Sequence, residues 1–159
     1  MRALVVYDSF FGNTEKIALA IGEALAQHGE VSTVRVSELP AGALSGVDLL
    51  VVGSPTRAFS ASPLTKGFLK ELPGGGLQGV RVAAFDTRVS LEDTNSGFLR
   101  FMVKLFGYAA KPISDRLVRK GGKLASRPEG FFVGGTEGPL KEGELERAAA
   151  WAKGMVDAS

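Results

Sequence analysis

An open, doubly wound α/β sandwich, built on a five-stranded parallel sheet in the order 2-1-3-4-5, is the fold class predicted by this 159-residue sequence. Two observations carry that reading. Apolar runs of strand length alternate along the chain with longer segments of helical period. The first, third and fourth of those runs are also nearly continuous Val, Leu, Ala and Phe, as expected of parallel strands covered on both faces.

Arg2 to Tyr7 reads as the first strand. Thr14 to Gln27 follows as a helix with Ile17, Ile21, Ala24 and Leu25 on one stripe, and His28-Gly29 is expected to stop it. Val31 to Val36 lies in "EVSTVRVSEL", which alternates as an edge strand does, so this second strand belongs at the rim. Asp48 to Gly53 is the third strand. Pro63 to Leu72 opens a helix with proline in its first turn and carries Leu64, Phe68 and Leu72 at helical period. "GGGLQG" at Gly74 to Gly79 has dinucleotide-loop spacing, but it precedes a strand where that loop must follow one, and it reads as a turn. Val80 to Asp86 is the fourth strand. Helices are expected over Gly97 to Phe106 and Lys111 to Lys120, then a broken fifth strand at Lys123 to Ser126 and Phe131 to Val133. A last helix runs from Glu142 to Asp157. With no linker, repeat or low-complexity stretch, residues 1–159 read as a single domain.

Composition removes several function classes. The chain has no cysteine, which excludes disulfides, thiolate metal sites and cysteine nucleophiles, and its one histidine, His28, cannot anchor a histidine metal site. No metal is expected. A count of 19 basic against 17 acidic residues is too even to imply nucleic acid. No apolar run approaches a membrane span, and a soluble, cytoplasmic protein is expected.

In this topology ligands sit beyond the carboxyl ends of the strands, where strand order reverses. The loops there read "DSFFGNT", "SPTRAFSASP" and "DTRVSLEDTNSG". In the first, Ser9, Asn13 and Thr14 offer side-chain donors, Gly12 permits close backbone approach, and a helix starts at about Thr14, whose free amides and positive dipole end suit a phosphoryl group. The competing reading of these side chains is that they cap the helix's own amides.

The stretch "LVVYDSFFGNTEKIA" resembles the opening signature of the flavodoxin family, fitting it at Val6, Tyr7, Ser9, Gly12, Thr14 and Ala18. "GSPTRAFSASP" resembles the second flavin loop of short flavodoxin-like proteins, and "FFVGGTEGPLKEGELERAAAWAKGM" resembles their tail, so the resemblance spans the whole chain. It implies a flavodoxin-like fold, FMN as cofactor, and electron transfer as the activity of this flavoprotein. It places the phosphate at Ser9, Phe10, Phe11, Gly12, Asn13 and Thr14. The isoalloxazine falls between Pro55, Thr56, Arg57, Ala58 and Phe59 on one side and Asp86, Thr87 and Arg88 on the other. The family commonly has another hydroxyl where Phe11 stands, and Phe59 is the one aromatic in the two ring loops.

Arg57 and Arg88 near the pyrimidine side of the ring would stabilise negative charge on the reduced flavin; each could equally be a surface cation or a partner of Asp86, Glu92 or Asp93. Asp8, Asp86 and Asp93 read as acid-base groups or as capping and turn residues. No catalytic residue is assigned. "GGTEGPL", Gly134 to Leu140, is a loop that could border a substrate. "GFLRFMVKLFGYAA" is apolar on more than one side, at Phe98, Phe101, Met102, Leu105, Phe106 and Tyr108, which fits burial or a homodimer contact. Two functional classes follow. One is an FMN redox protein, either a carrier docking a redox partner protein or an oxidoreductase passing electrons from a nicotinamide cofactor to a small acceptor such as a quinone. The other is a flavin-free interaction module on the same fold.

Overall fold

The structure, a computed structural model, describes residues 1–90 and 96–157, the side chains of residues 99, 102 and 104–106 excepted. Chain order is β1 (Arg2–Tyr7), α1 (Asn13–Ala26), β2 (Glu30–Arg35), a 3-10 turn (Val36–Glu38), β3 (Leu49–Pro55), α2 (Pro63–Glu71), β4 (Arg81–Val89), α3 (Gly97–Phe106), α4 (Ala110–Arg119), β5 (Lys123–Leu124), β6 (Glu129–Val133) and α5 (Glu144–Asp157).

The sheet runs β2-β1-β3-β4-β5, and each of these pairings is parallel. The expected order therefore holds, with β2 at the rim. The break in the fifth strand is also real. β5 pairs with the start of β4 at Arg81 and Val82, and β6 pairs with its end from Phe85 to Val89.

Because successive strand residues face opposite ways, β1 divides its side chains between two cores. Ala3, Val5 and Tyr7 join Ile17, Ile21 and Leu25 of α1 and Ala148, Ala152 and Met155 of α5. Leu4 and Val6 join Leu69 of α2 and Ile113 and Leu117 of α4 on the other face. Phe85, Phe131 and Trp151 meet edge to face in the first core, with centroids 6.0–6.1 Å apart. Gly53 is required beside them, since a Cβ there would overlap the Phe85 ring. Gly53→Ala is therefore expected to cost about 1–3 kcal/mol, seen as a lower urea midpoint at unchanged slope.

Helix ends follow local chemistry. Ser62 caps α2 by accepting from the Thr65 amide, with Pro63 at the first helical position. Gly29 does not end α1 through a left-handed turn; the C-cap is Gln27, and Gly29 is needed because a Cβ would strike the Met1 carbonyl.

Candidate functional site

A cleft of about 330 Å³ opens at the carboxyl ends of β1, β3 and β4. The first loop lends it Ser9, Phe10, Phe11, Asn13 and Thr14, and the second Pro55, Thr56, Arg57, Ala58 and Phe59. Thr87 and Arg88 come from the third. Gly12 and Asp86, the other residues expected at the site, do not line it. Val89 and Ser90 of the third loop and Thr136 of "GGTEGPL" also line the cleft, as do Val103, Tyr108 and Val133, which were not anticipated from sequence. Val133 and Thr136 bring the start of the "GGTEGPL" loop to the site.

The first loop curls because Gly12 holds φ at 91°, a left-handed conformation natural to glycine. Gly12 is the N-cap of α1, and no side chain caps this helix. The capping reading of the polar residues thus fails, and each has another task. Ser9 Oγ accepts from the Gly12 amide at 3.0 Å. Asn13 Nδ2 donates to the Glu137 carbonyl at 3.0 Å, fastening the "GGTEGPL" loop to the start of α1. Thr14 Oγ1 and Thr87 Oγ1 share a hydrogen bond of 2.8 Å across the floor of the cleft. Among the described residues, the amides of Phe10, Phe11, Asn13 and Thr14 meet no acceptor. They stand at the positive end of the α1 dipole.

The second loop is a two-residue hairpin. Arg57 and Ser60 exchange backbone hydrogen bonds of 2.9 and 3.0 Å. Ala58 and Phe59 between them have φ of 48° and 65°, where this turn ordinarily takes Asn-Gly. Each non-glycine residue held there is strained by about 1–2 kcal/mol, and strain of this kind concentrates at functional sites. The turn sets the Arg57 guanidinium 5.1 Å from the Phe10 ring centroid and 5.7 Å from that of Phe11, joining the two loops at the mouth of the cleft.

Behind the third loop lies a buried ion pair. Asp86, fully buried, accepts from Arg88 Nε and Nη2 at 2.6 and 2.7 Å and from the Ala110 amide at 2.8 Å. The Ala109 amide donates to Thr56 Oγ1 at 3.1 Å. Since α4 has no side-chain cap of its own, β4 and the second loop supply one. Burial pushes the Asp86 carboxyl above the usual carboxylate range, against the pull of the Arg88 fork and the Ala110 amide. Arg88 in turn lies 3.7 Å from the centroid of the Tyr108 ring, and Gly130 makes room for it, since a Cβ there would overlap the guanidinium. Burial also raises the Tyr108 phenol.

These contacts identify the partner of Arg88. Arg88 is the partner of Asp86, so its charge is matched, and Asp86 is a structural anchor. Arg57 forms no ion pair among the described residues. Glu92 and Asp93 lie outside the described residues. The ring loops contribute Phe59 alone, as the sequence indicates, but Phe10, Phe11 and Tyr108 add aromatic wall from elsewhere in the chain.

Open amides at a helix start, hydroxyls beside them and an aromatic-walled cleft of ligand size fit a planar group bearing a phosphate. Residues 5–151 match the family model described as Flavodoxin. Probable flavodoxin 1 of Bacillus subtilis (strain 168) is 29% identical over 86 residues, 53% of this chain and 54% of that protein. The match thus spans about half the length of this relative. Oxidised Flavodoxin 2 from Bacillus cereus superposes with a TM-score of 0.79 at 24% identity, covering 100% of both chains. Oxidised Flavodoxin 1 from Bacillus cereus superposes with a TM-score of 0.79 at 17% identity, covering 100% of this chain and 99% of that one. The solved structures bear on the fold, and the family model, matched over most of the sequence, decides the kinship: the chain belongs to the flavodoxin family.

Proposed function

We propose that residues 1–159 act as one unit, an FMN-dependent electron carrier whose Ser9–Thr14 loop seats the phosphate. The uncapped start of α1, with its amides open to the cleft, is the observation that carries this reading. The ring lies between the Pro55–Phe59 and Asp86–Arg88 segments, with Tyr108 beside them. When bound, FMN supplies electron storage at its ring, and the chain's own residues govern what reaches it. Phe10, Phe11 and Phe59 shield the cleft from water. Arg57, which forms no ion pair among the described residues, places a positive charge at the mouth, favouring the reduced, more negative state, while Arg88 contributes little because Asp86 offsets it. A redox partner protein would dock at this mouth, where Phe10 and Phe11 are 48% and 46% exposed.

A titration with FMN and with riboflavin, followed by flavin fluorescence, tests this. FMN is expected to bind about a hundredfold or more tightly than riboflavin, because only FMN engages the loop amides with a charged group. Equal affinities would remove the phosphate seat, and binding of neither would leave the flavin-free module.

The Arg57 charge also supports a second reading, an oxidoreductase passing electrons from NADH or NADPH to a quinone. Direct oxidation of either nucleotide by the purified protein plus quinone would favour it over a carrier. Phe98 and Phe101, 73% and 60% exposed and one turn apart on α3, fit the homodimer contact, which sedimentation would reveal. Among the described residues no helix is long and apolar enough to cross a membrane, in keeping with a cytoplasmic place of work.

A further inference from the structure

Arg35 ends β2 at the rim of the sheet, where an edge strand would ordinarily present a solvated side chain. Its guanidinium is instead committed to the loop after β1. Nη1 donates to the Ser9 carbonyl at 2.9 Å and Nη2 to Glu15 Oε2 at 3.0 Å. The Asp8 carboxylate lies 3.9 Å from Nη1, and the guanidinium stands 5.3 Å from the Tyr7 ring centroid. The Tyr7 hydroxyl donates to the same Glu15 oxygen at 2.7 Å. One side chain thus ties together the end of β1, the start of the loop and the first turn of α1.

We propose that Arg35 is a positioning residue for the phosphate seat, an inference that rests on the reading of the Ser9–Thr14 loop as that seat. Two effects follow from its contacts. Arg35 does not line the cleft, so the Ser9 carbonyl bonded to it is held away from the phosphate, leaving amides to face the ligand. It also offsets the charge of Asp8, which is 4% exposed next to the loop and whose buried Oδ2 has no hydrogen-bond partner among the described residues. Without Arg35, a phosphate dianion would meet a carbonyl free to turn inward and an uncompensated carboxylate behind it. Riboflavin, having no phosphate, would feel neither.

The test measures FMN and riboflavin dissociation constants for the wild type, Arg35→Met and Arg35→Lys, together with the urea midpoint of each flavin-free protein. Arg35→Met is expected to weaken FMN by on the order of tenfold, as the released Ser9 carbonyl and the Asp8 carboxylate oppose the phosphate, and riboflavin by no more than about twofold. Arg35→Lys should recover part of the FMN loss, since it keeps the charge but not the fork that reaches Ser9 and Glu15 together. If Arg35→Met does not fold, Arg35→Lys and Glu15→Gln report the same FMN-to-riboflavin ratio with smaller changes. An edge residue that merely steadies the sheet would lower the urea midpoint and leave that ratio alone. A ratio unchanged in every variant, in a protein whose wild type prefers FMN, would overturn the role of Arg35 alone. A wild type with no preference for FMN would overturn the phosphate seat and this inference with it.

Discussion

Replacing Ser9 and Thr14 together by alanine is expected to weaken FMN binding by on the order of a hundredfold or more, with riboflavin affinity changed by about threefold at most. The hydroxyl geometry explains why both matter. A hydroxyl has one hydrogen to give and two lone pairs with which to accept. Ser9 Oγ already accepts from the Gly12 amide, which leaves its hydrogen free for an anion. Thr14 Oγ1 is paired with Thr87 Oγ1, and it can accept from Thr87 while giving its own hydrogen to a phosphate. Each lost hydrogen bond to a charged group is worth about 1.5–3 kcal/mol, so two together span at least two powers of ten. Thr87→Ala removes only the support behind Thr14, and its effect should be the smaller. Unchanged FMN affinity in the double variant would sink the assignment of these hydroxyls to phosphate.

The positions of these hydroxyls were legible in the sequence because the strand before them and the helix after them are both strongly patterned. The alternation of "EVSTVRVSEL" put β2 at the rim, and the apolar runs of β1, β3 and β4 put them inside. Strand ends were less legible. β3 continues through Ser54 to Pro55 and β4 beyond Asp86 through Thr87 to Val89, because buried polar residues there are satisfied by local partners, whereas polarity in a sequence reads as loop. The Asp86–Arg88 pair was open to discovery, since residues two apart on a strand share a face. Sequence left it as one of several possible partnerships because burial is what selects it. Tyr108 was harder to place. It follows an apolar helix whose pattern indicates burial or association, and nothing in that pattern says that its end turns toward Arg88. The start of α1 was misleading in a different way: Ser9, Asn13 and Thr14 are good capping residues, yet the left-handed Gly12 takes the capping position and frees all three.

Asp86→Asn is expected to destabilise the protein by about 3 kcal/mol, measured by urea unfolding. That is the lower end for breaking a buried pair, because the Arg88 side chain keeps 18% of its surface exposed. The variant leaves Arg88 against Tyr108 without its counter-ion and weakens the acceptor that holds the Ala110 amide at the start of α4. With FMN bound, its reduction potential should rise relative to the wild type, since Arg88 then borders the cleft without its counter-ion. A potential unchanged in this variant would mean that Arg88 does not act on the ring. Arg88→Met breaks the same pair from the other end, and pH distinguishes the two. Here the carboxyl stays buried alone, and burial, which already pushes it up in the intact protein, acts without the opposing fork. A carboxyl whose folded pKa lies above its unfolded value binds its proton more tightly when folded. Its stabilising contribution is complete below the unfolded pKa and is lost as pH rises through the folded one. The deficit of Arg88→Met relative to the wild type should therefore be smallest at acid pH, near the ordinary carboxylate range, and grow as pH rises above it. Asp86→Asn has no proton to bind at that position, and its deficit should lack this rise. A flat deficit for Arg88→Met would show that Arg88 does not serve to keep the Asp86 carboxylate charged.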